Sequence, residues 1–127
     1  LAWAVALYVL SSMPKVLPEG VPEIPNLDKI VHFAYFMGGA FILTTGILLR
    51  KGVGSHPLLR IFLPALLFAA IGMLDEFHQT FTPGRSGNDP FDWLADILGS
   101  FTGILIASRF HPLVLKFSQP VPEKSQI

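Results

Sequence analysis

Cysteine is absent from the 127 residues, which excludes disulfide staples, thiolate nucleophiles and thiolate metal sites. Charge is scarce as well. Only 14% of the residues are Asp, Glu, Lys or Arg, against about a quarter in a soluble domain. Nine basic and nine acidic residues leave no formal net charge, and no Lys/Arg cluster is large enough to follow a phosphate backbone. Nucleic acid is set aside as a partner on that ground. What fills the chain instead is apolar: 51% of it is hydrophobic and the mean hydropathy is +0.55. A chain of this length holds one domain, and this composition points to a lipid bilayer as its surroundings.

Taken in order, residues 1–13 are apolar (LAWAVALYVLSSM) but reach only about 20 Å as a helix, short of the roughly 30 Å hydrocarbon core. They read as the second half of a first transmembrane helix. A signal peptide fits less well, for want of a basic leader and a small-x-small cleavage site. Residues 14–26 hold four prolines and form a loop between spans. Asp28 stands where a helix N-cap belongs, and the apolar run from there to Leu49, closed by Arg50, Lys51 and Gly52, is long enough to cross once.

A turn over 52–57 leads to a third span from Leu58 to Phe81 with Pro64 inside it. A kink is expected there, since neighbouring groups can satisfy the freed carbonyl. Thr82, Pro83 and Gly84 end the span, 85–90 is a polar loop, and the last span covers 91–110. The expected fold is all-α: an integral membrane bundle of four transmembrane helices, the first truncated in this chain. It occupies 1–110, and a polar, proline-containing cytoplasmic tail follows over 111–127.

Positive charge sets the orientation. Arg50, Lys51 and Arg60 flank one short loop while Arg109, Lys116 and Lys124 lie near the C-terminus, and the positive-inside rule makes both regions cytoplasmic. The 14–28 and 81–90 loops then face outward, with the start of the second span, the end of the third and the start of the fourth. Helical spacing gathers polar residues on each. Asp28, His32 and Tyr35 share a face of the second span, Asp75 and Gln79 lie four apart on the third, and Asp89, Asp92 and Asp96 form a stripe continued by Gly99 and Gly103. A small-xxx-small surface lets helices approach closely, so the acids sharing that face point into the bundle.

Asp28, Asp75, Glu76, Asp89, Asp92 and Asp96 carry six negative charges against Lys29 and Arg85. Crowded at the edge of a low-dielectric region they cannot all stay ionised without protons, water or a cation among them. Singly, each has a structural explanation. His32 can be a helix-to-helix hydrogen bonder, Asp28 and Asp89 can be caps, and Lys29 and Arg85 can be counter-ions. Together they are ionisable residues from three spans at one depth, which marks a functional site.

The stretches DKIVHFAYF, DEFHQTFTPGR and DWLADILGSFTG, preceded by SSMP, resemble the VanZ-like family of bacterial membrane proteins over about 11–103. The ordered D-K-x-x-H, E-x-x-Q-x-F-x-P-G-R and D-x-x-x-[ND]-x-x-G-x-x-x-G elements are specific in combination. The resemblance implies signature positions at Asp28, Lys29, His32, Glu76, Gln79, Arg85, Asp92, Asp96, Gly99 and Gly103; Asp96 stands where the family often has asparagine. It also implies a cell-envelope role linked to teicoplanin resistance, and it supplies no reaction.

Two functions compete. One is binding of an envelope lipid, a lipid-linked molecule or a lipoglycopeptide at the outer leaflet by Asp28, Lys29, His32, Tyr35, Asp75, Glu76, Gln79, Arg85, Asp92 and Asp96, with the cations meeting phosphate or carboxylate and the acids an amine or sugar hydroxyls. The other is a membrane-embedded hydrolase or transferase acting on lipid-linked phosphates. There Glu76 or His32 would activate water, and His32, Glu76, Asp92 and Asp96, joined by Asp28, would hold Mg²⁺ or Mn²⁺. A third possibility is a bundle whose polar residues only fix helix register.

Overall fold

The computed structural model describes residues 2–14, 24–50 and 56–118. Four helices account for nearly all of them: α1 (Ala2–Ser11), α2 (Leu27–Leu49), α3 (Pro57–Gln79) and α4 (Pro90–Ser118). No strand occurs among the described residues. Leu27–Leu49, Leu58–Gln79 and Pro90–Leu113 are each long and apolar enough to cross a membrane, and α1 is a shorter apolar helix. The 23 residues of α2 and of α3 rise about 35 Å at 1.5 Å per residue, a little more than the hydrocarbon thickness.

The surface is inverted relative to a soluble protein. Leu66 is 73% exposed, and Leu58, Phe62, Ile42, Leu98 and Leu105 also point outward, while His32, Asp75, Glu76, Gln79, Asp92 and Asp96 are buried. Lipid is the solvent that suits such an exterior, because the helices satisfy their own backbone groups and hydrocarbon tolerates the apolar side chains.

Glycines set the closest approach. A Cβ on Gly99 would land on the Phe33 carbonyl, and one on Gly103 on the Met37 carbonyl with Phe41 N at 2.9 Å, so α4 lies directly against the backbone of α2. Phe36, Ala40, Phe68 and Ile104 form the apolar core below the polar end, with Trp3 of α1 packed against it. Gly39 makes room for that indole, since a Cβ there would stand 2.6 Å from Trp3 Nε1. Trp3 Nε1–H donates to the Tyr35 carbonyl at 3.1 Å, and the Tyr35 hydroxyl donates back to the Trp3 carbonyl at 2.8 Å.

Several boundaries differ from the sequence reading. Asn26, in the left-handed region at φ 58°, holds the N-cap position of α2, and Asp28 lies inside the first turn with its carboxylate turned to Lys29. As expected, α3 continues through Pro64, whose ring is fully buried, but it ends at Gln79 and not at Phe81. α4 starts at Pro90, as suits a residue without an N–H at the first helical position, and Asp89 Oδ1 caps it by accepting from Phe91 N–H at 2.8 Å. It also runs through Pro112 to Ser118, so the first eight residues of the expected tail are helical. Residues 15–23 of the expected proline-rich loop, 52–55 of the expected turn at 52–57, and 119–127 lie outside the described residues.

Candidate functional site

The chain runs up α2, down α3 and up α4, so the start of α2, the end of α3 and the start of α4 meet at one end. Arg50, Arg60 and Arg109 belong to the other. The first group at the acidic end is centred on Lys29. Its ammonium donates to Asp28 Oδ2 at 2.9 Å, Asp89 Oδ2 at 3.0 Å and Asp92 Oδ1 at 3.0 Å. One cation from α2 thus ties together two acids at the start of α4 and its own neighbour. The Phe91 N–H, and then the Lys29 ammonium, hold the Asp89 carboxyl below the usual carboxylate range, since both favour the charged form.

The second group lies deeper. His32 Nδ1 is 2.9 Å from Asp96 Oδ1, and Asp96 has no exposed surface at all. Gly72 on α3 leaves space for that carboxylate: a Cβ would come 2.8 Å from Asp96 Oδ2. One helical turn along α3, Gln79 Nε2 donates to Asp75 Oδ2 at 2.9 Å. Glu76 accepts the Asp89 N–H on Oε2 at 2.8 Å, while its Oε1 is buried without a hydrogen-bond partner among the described residues, as is Asp96 Oδ2. One ligand atom from each of His32, Asp75 and Glu76 lies within 4.8 Å of the others.

The connection between α3 and α4 is shaped for this. Gly87 (φ 43°) and Asn88 (φ 53°) both adopt left-handed backbone, folding the chain back so that Asn88 N–H reaches the Glu76 carbonyl at 3.2 Å just before Asp89 reaches its carboxylate. A Cβ on Gly87 would stand 2.5 Å from Thr80 N, so glycine alone fits there without displacement.

Arg85 and Tyr35 both hydrogen-bond to α1. Arg85 donates from Nε to the Met13 carbonyl at 3.0 Å and from Nη2 to the Leu10 carbonyl at 3.2 Å. It thereby caps the C-terminal end of α1, where a cation suits the helix dipole. Tyr35 directs its hydroxyl to Trp3. Two features that the motifs did not mark out are Gly72 and Trp93, whose Nε1–H donates to the Ala69 carbonyl at 3.1 Å. Gly72 and Ala69 lie three apart and so on one face of α3.

Two hollows flank Glu76 and His32. A cavity of about 30 Å³ is lined by His32, Tyr35, Asp75, Gln79 and Arg85, with α1 closing one side. A larger one of about 180 Å³ lies between the end of α3 and the start of α4, lined by Met73, Glu76, Asn88, Asp89, Pro90 and Trp93.

A family model described as VanZ/LLP1 matches residues 3–113 of the chain. Neither a curated protein nor a solved structure matches it.

Proposed function

The chain belongs to the VanZ/LLP1 family, and from that premise we propose that this membrane protein binds the polar head of an envelope lipid or glycopeptide-type ligand. The binding site is its acidic end, on the outer side of a bacterial cell membrane, and the role is linked to teicoplanin resistance. The observation that carries the reading is the cavity of about 180 Å³ beside Glu76. Its wall bears a carboxylate that is 3% exposed with one oxygen unpartnered, and Met73 at its rim is turned toward the lipid surface. A buried acceptor without a donor is destabilising by about 1 to 3 kcal/mol, and an amine or hydroxyl of a headgroup would relieve it. The Lys29 ammonium is committed to three carboxylates and Arg85 is turned to the backbone carbonyls of α1, so the acids are the recognising groups.

Native mass spectrometry of the detergent-solubilised protein should detect a retained phospholipid or added teicoplanin. Glu76→Gln should weaken that retention about tenfold or more, as expected for losing a charge-assisted hydrogen bond of about 1.5 to 3 kcal/mol. Equal retention by the variant removes this site from the reading.

Orientation is testable because no native cysteine interferes. Arg50 and Arg60 lie at the end opposite the acids, which supports an outward-facing acidic end. A membrane-impermeant maleimide applied to intact cells should label Ser86→Cys and leave Arg50→Cys unlabelled. The reverse pattern would put the acidic end in the cytoplasm.

A second reading, a membrane-embedded hydrolase or transferase acting on a lipid-linked phosphate, is favoured by the pairing of His32 with Asp96. A carboxylate that orients one ring nitrogen leaves the other positioned as a base.

A further inference from the structure

We infer that His32, Asp75 and Glu76 form a binding site for one divalent cation of the Mn²⁺ or Zn²⁺ kind. This rests on the enzyme reading, recast so that the second His32 nitrogen is a metal ligand in place of a base, and it competes with the headgroup reading for the unpartnered Glu76 oxygen. Metal bonds of about 2.0 to 2.6 Å place the donors of a single ion about 3 to 5 Å apart. One donor atom from each of the three side chains, all of them buried, lies within 4.8 Å of the others.

The surroundings of each donor suit ligation. His32 Nδ1 is engaged by Asp96, and no hydrogen bond to Nε2 occurs among the described residues, which makes Nε2 the ligand nitrogen. A histidine held by a carboxylate on its far nitrogen is the usual outer-shell arrangement of metal-binding imidazole. Gln79 holds one Asp75 oxygen and the Asp89 N–H holds one Glu76 oxygen, so both carboxylates are oriented while keeping acceptor capacity. Glu76 Oε1, 3% of whose residue surface is exposed, has no other partner. The cavity against His32 and Asp75 has room for a water molecule, the further ligand that a three-donor site needs.

The neighbouring acidic trio makes the contrast. Asp28, Asp89 and Asp92 also bring their oxygens within 4.8 Å of one another, but the Lys29 ammonium stands among them at 2.9 to 3.0 Å. That trio already has its cation. Among the described residues no lysine or arginine is paired with His32, Asp75, Glu76 or Asp96, and Arg85, which lines the adjoining cavity, donates to backbone carbonyls. One imidazole with two carboxylates favours Mn²⁺ or Zn²⁺ over Ca²⁺, which takes an all-oxygen shell.

The test uses the full chain in detergent, stripped with EDTA and titrated with MnCl₂, with free Mn²⁺ followed by its six-line paramagnetic resonance signal. One Mn²⁺ should bind per chain, with one histidine nitrogen coupled to the bound ion in pulsed spectra, and ZnCl₂ should displace it. Asp96→Asn, which acts through His32, should weaken binding about 10- to 100-fold, and Glu76→Gln by more, both with unchanged helical circular dichroism. The site is overturned if Mn²⁺ stays free at about 1 mM, if the bound ion shows no nitrogen coupling, or if Glu76→Gln binds like the parent. The nitrogen coupling is read on the unmutated chain, so the test survives a variant that does not fold. Retention of lipid or teicoplanin in EDTA without Mn²⁺ binding overturns the metal site alone. Mn²⁺ binding without such retention supports the metal site and overturns the headgroup reading.

Discussion

Lys29→Met is expected to lower the stability of the purified protein by about 3 kcal/mol. It strands the carboxylates of Asp28, Asp89 and Asp92 around a missing cation, and breaking one side of a buried charge group costs about 3 to 5 kcal/mol. The lower end applies because the Lys29 side chain keeps 26% of its surface exposed and Asp28 keeps 41%, whereas Asp92 keeps only 6%. Thermal unfolding in detergent at neutral pH measures the loss. Adding Asp92→Asn to the Lys29→Met background should restore part of it, because the acid with least access to water is then neutral. A double-mutant cycle in which the two changes simply add would show that the ammonium is no counter-ion to Asp92.

Gly103→Ala should be as damaging by an unrelated route. Its new methyl meets the Met37 carbonyl and Phe41 N of α2, which are backbone atoms that no rotamer change can move aside. Relief requires the two helices to separate, and overpacking of this kind costs about 1 to 3 kcal/mol, with the upper end expected here. Gly99→Ala, facing the Phe33 carbonyl, should behave alike. Gly38→Ala and Gly46→Ala supply the comparison, for nothing lies within 4 Å of a Cβ at either. They should leave the unfolding midpoint unchanged or raise it slightly, since alanine suits a helix interior better than glycine. Equal losses at all four positions would show that close packing of α2 on α4 is not what the glycines provide.

The helical architecture was legible because hydrophobic run length and breaker residues are local properties. The 28/32 and 92/96/99/103 spacings likewise gave which residues share a helix face, and in the fold those faces turn toward each other. Three things could not be read from spacing. Lys29 reaches two acids some sixty positions away, so the sequence could count its charge but could not tell that its donors are fully engaged. Arg85 binds the carbonyls of Leu10 and Met13, and any residue offers a carbonyl, so no side-chain pattern marks such partners. The expected last span stops at Phe110, yet α4 continues through Pro112 to Ser118, because a missing backbone donor weakens a helix without forbidding its continuation. Gly72 makes the space into which Asp96 fits, and a glycine within an apolar span does not name the side chain that will fill its place.

The short N-terminal helix is fastened at two points, by Trp3 to Tyr35 near its start and by Arg85 and Thr82 to Leu10, Ser11 and Met13 near its end. Between those rivets Leu7, Leu10 and Ser11 wall one side of the hollow beside His32. Prising that helix out would open the Asp75 side of the hollow to the surroundings.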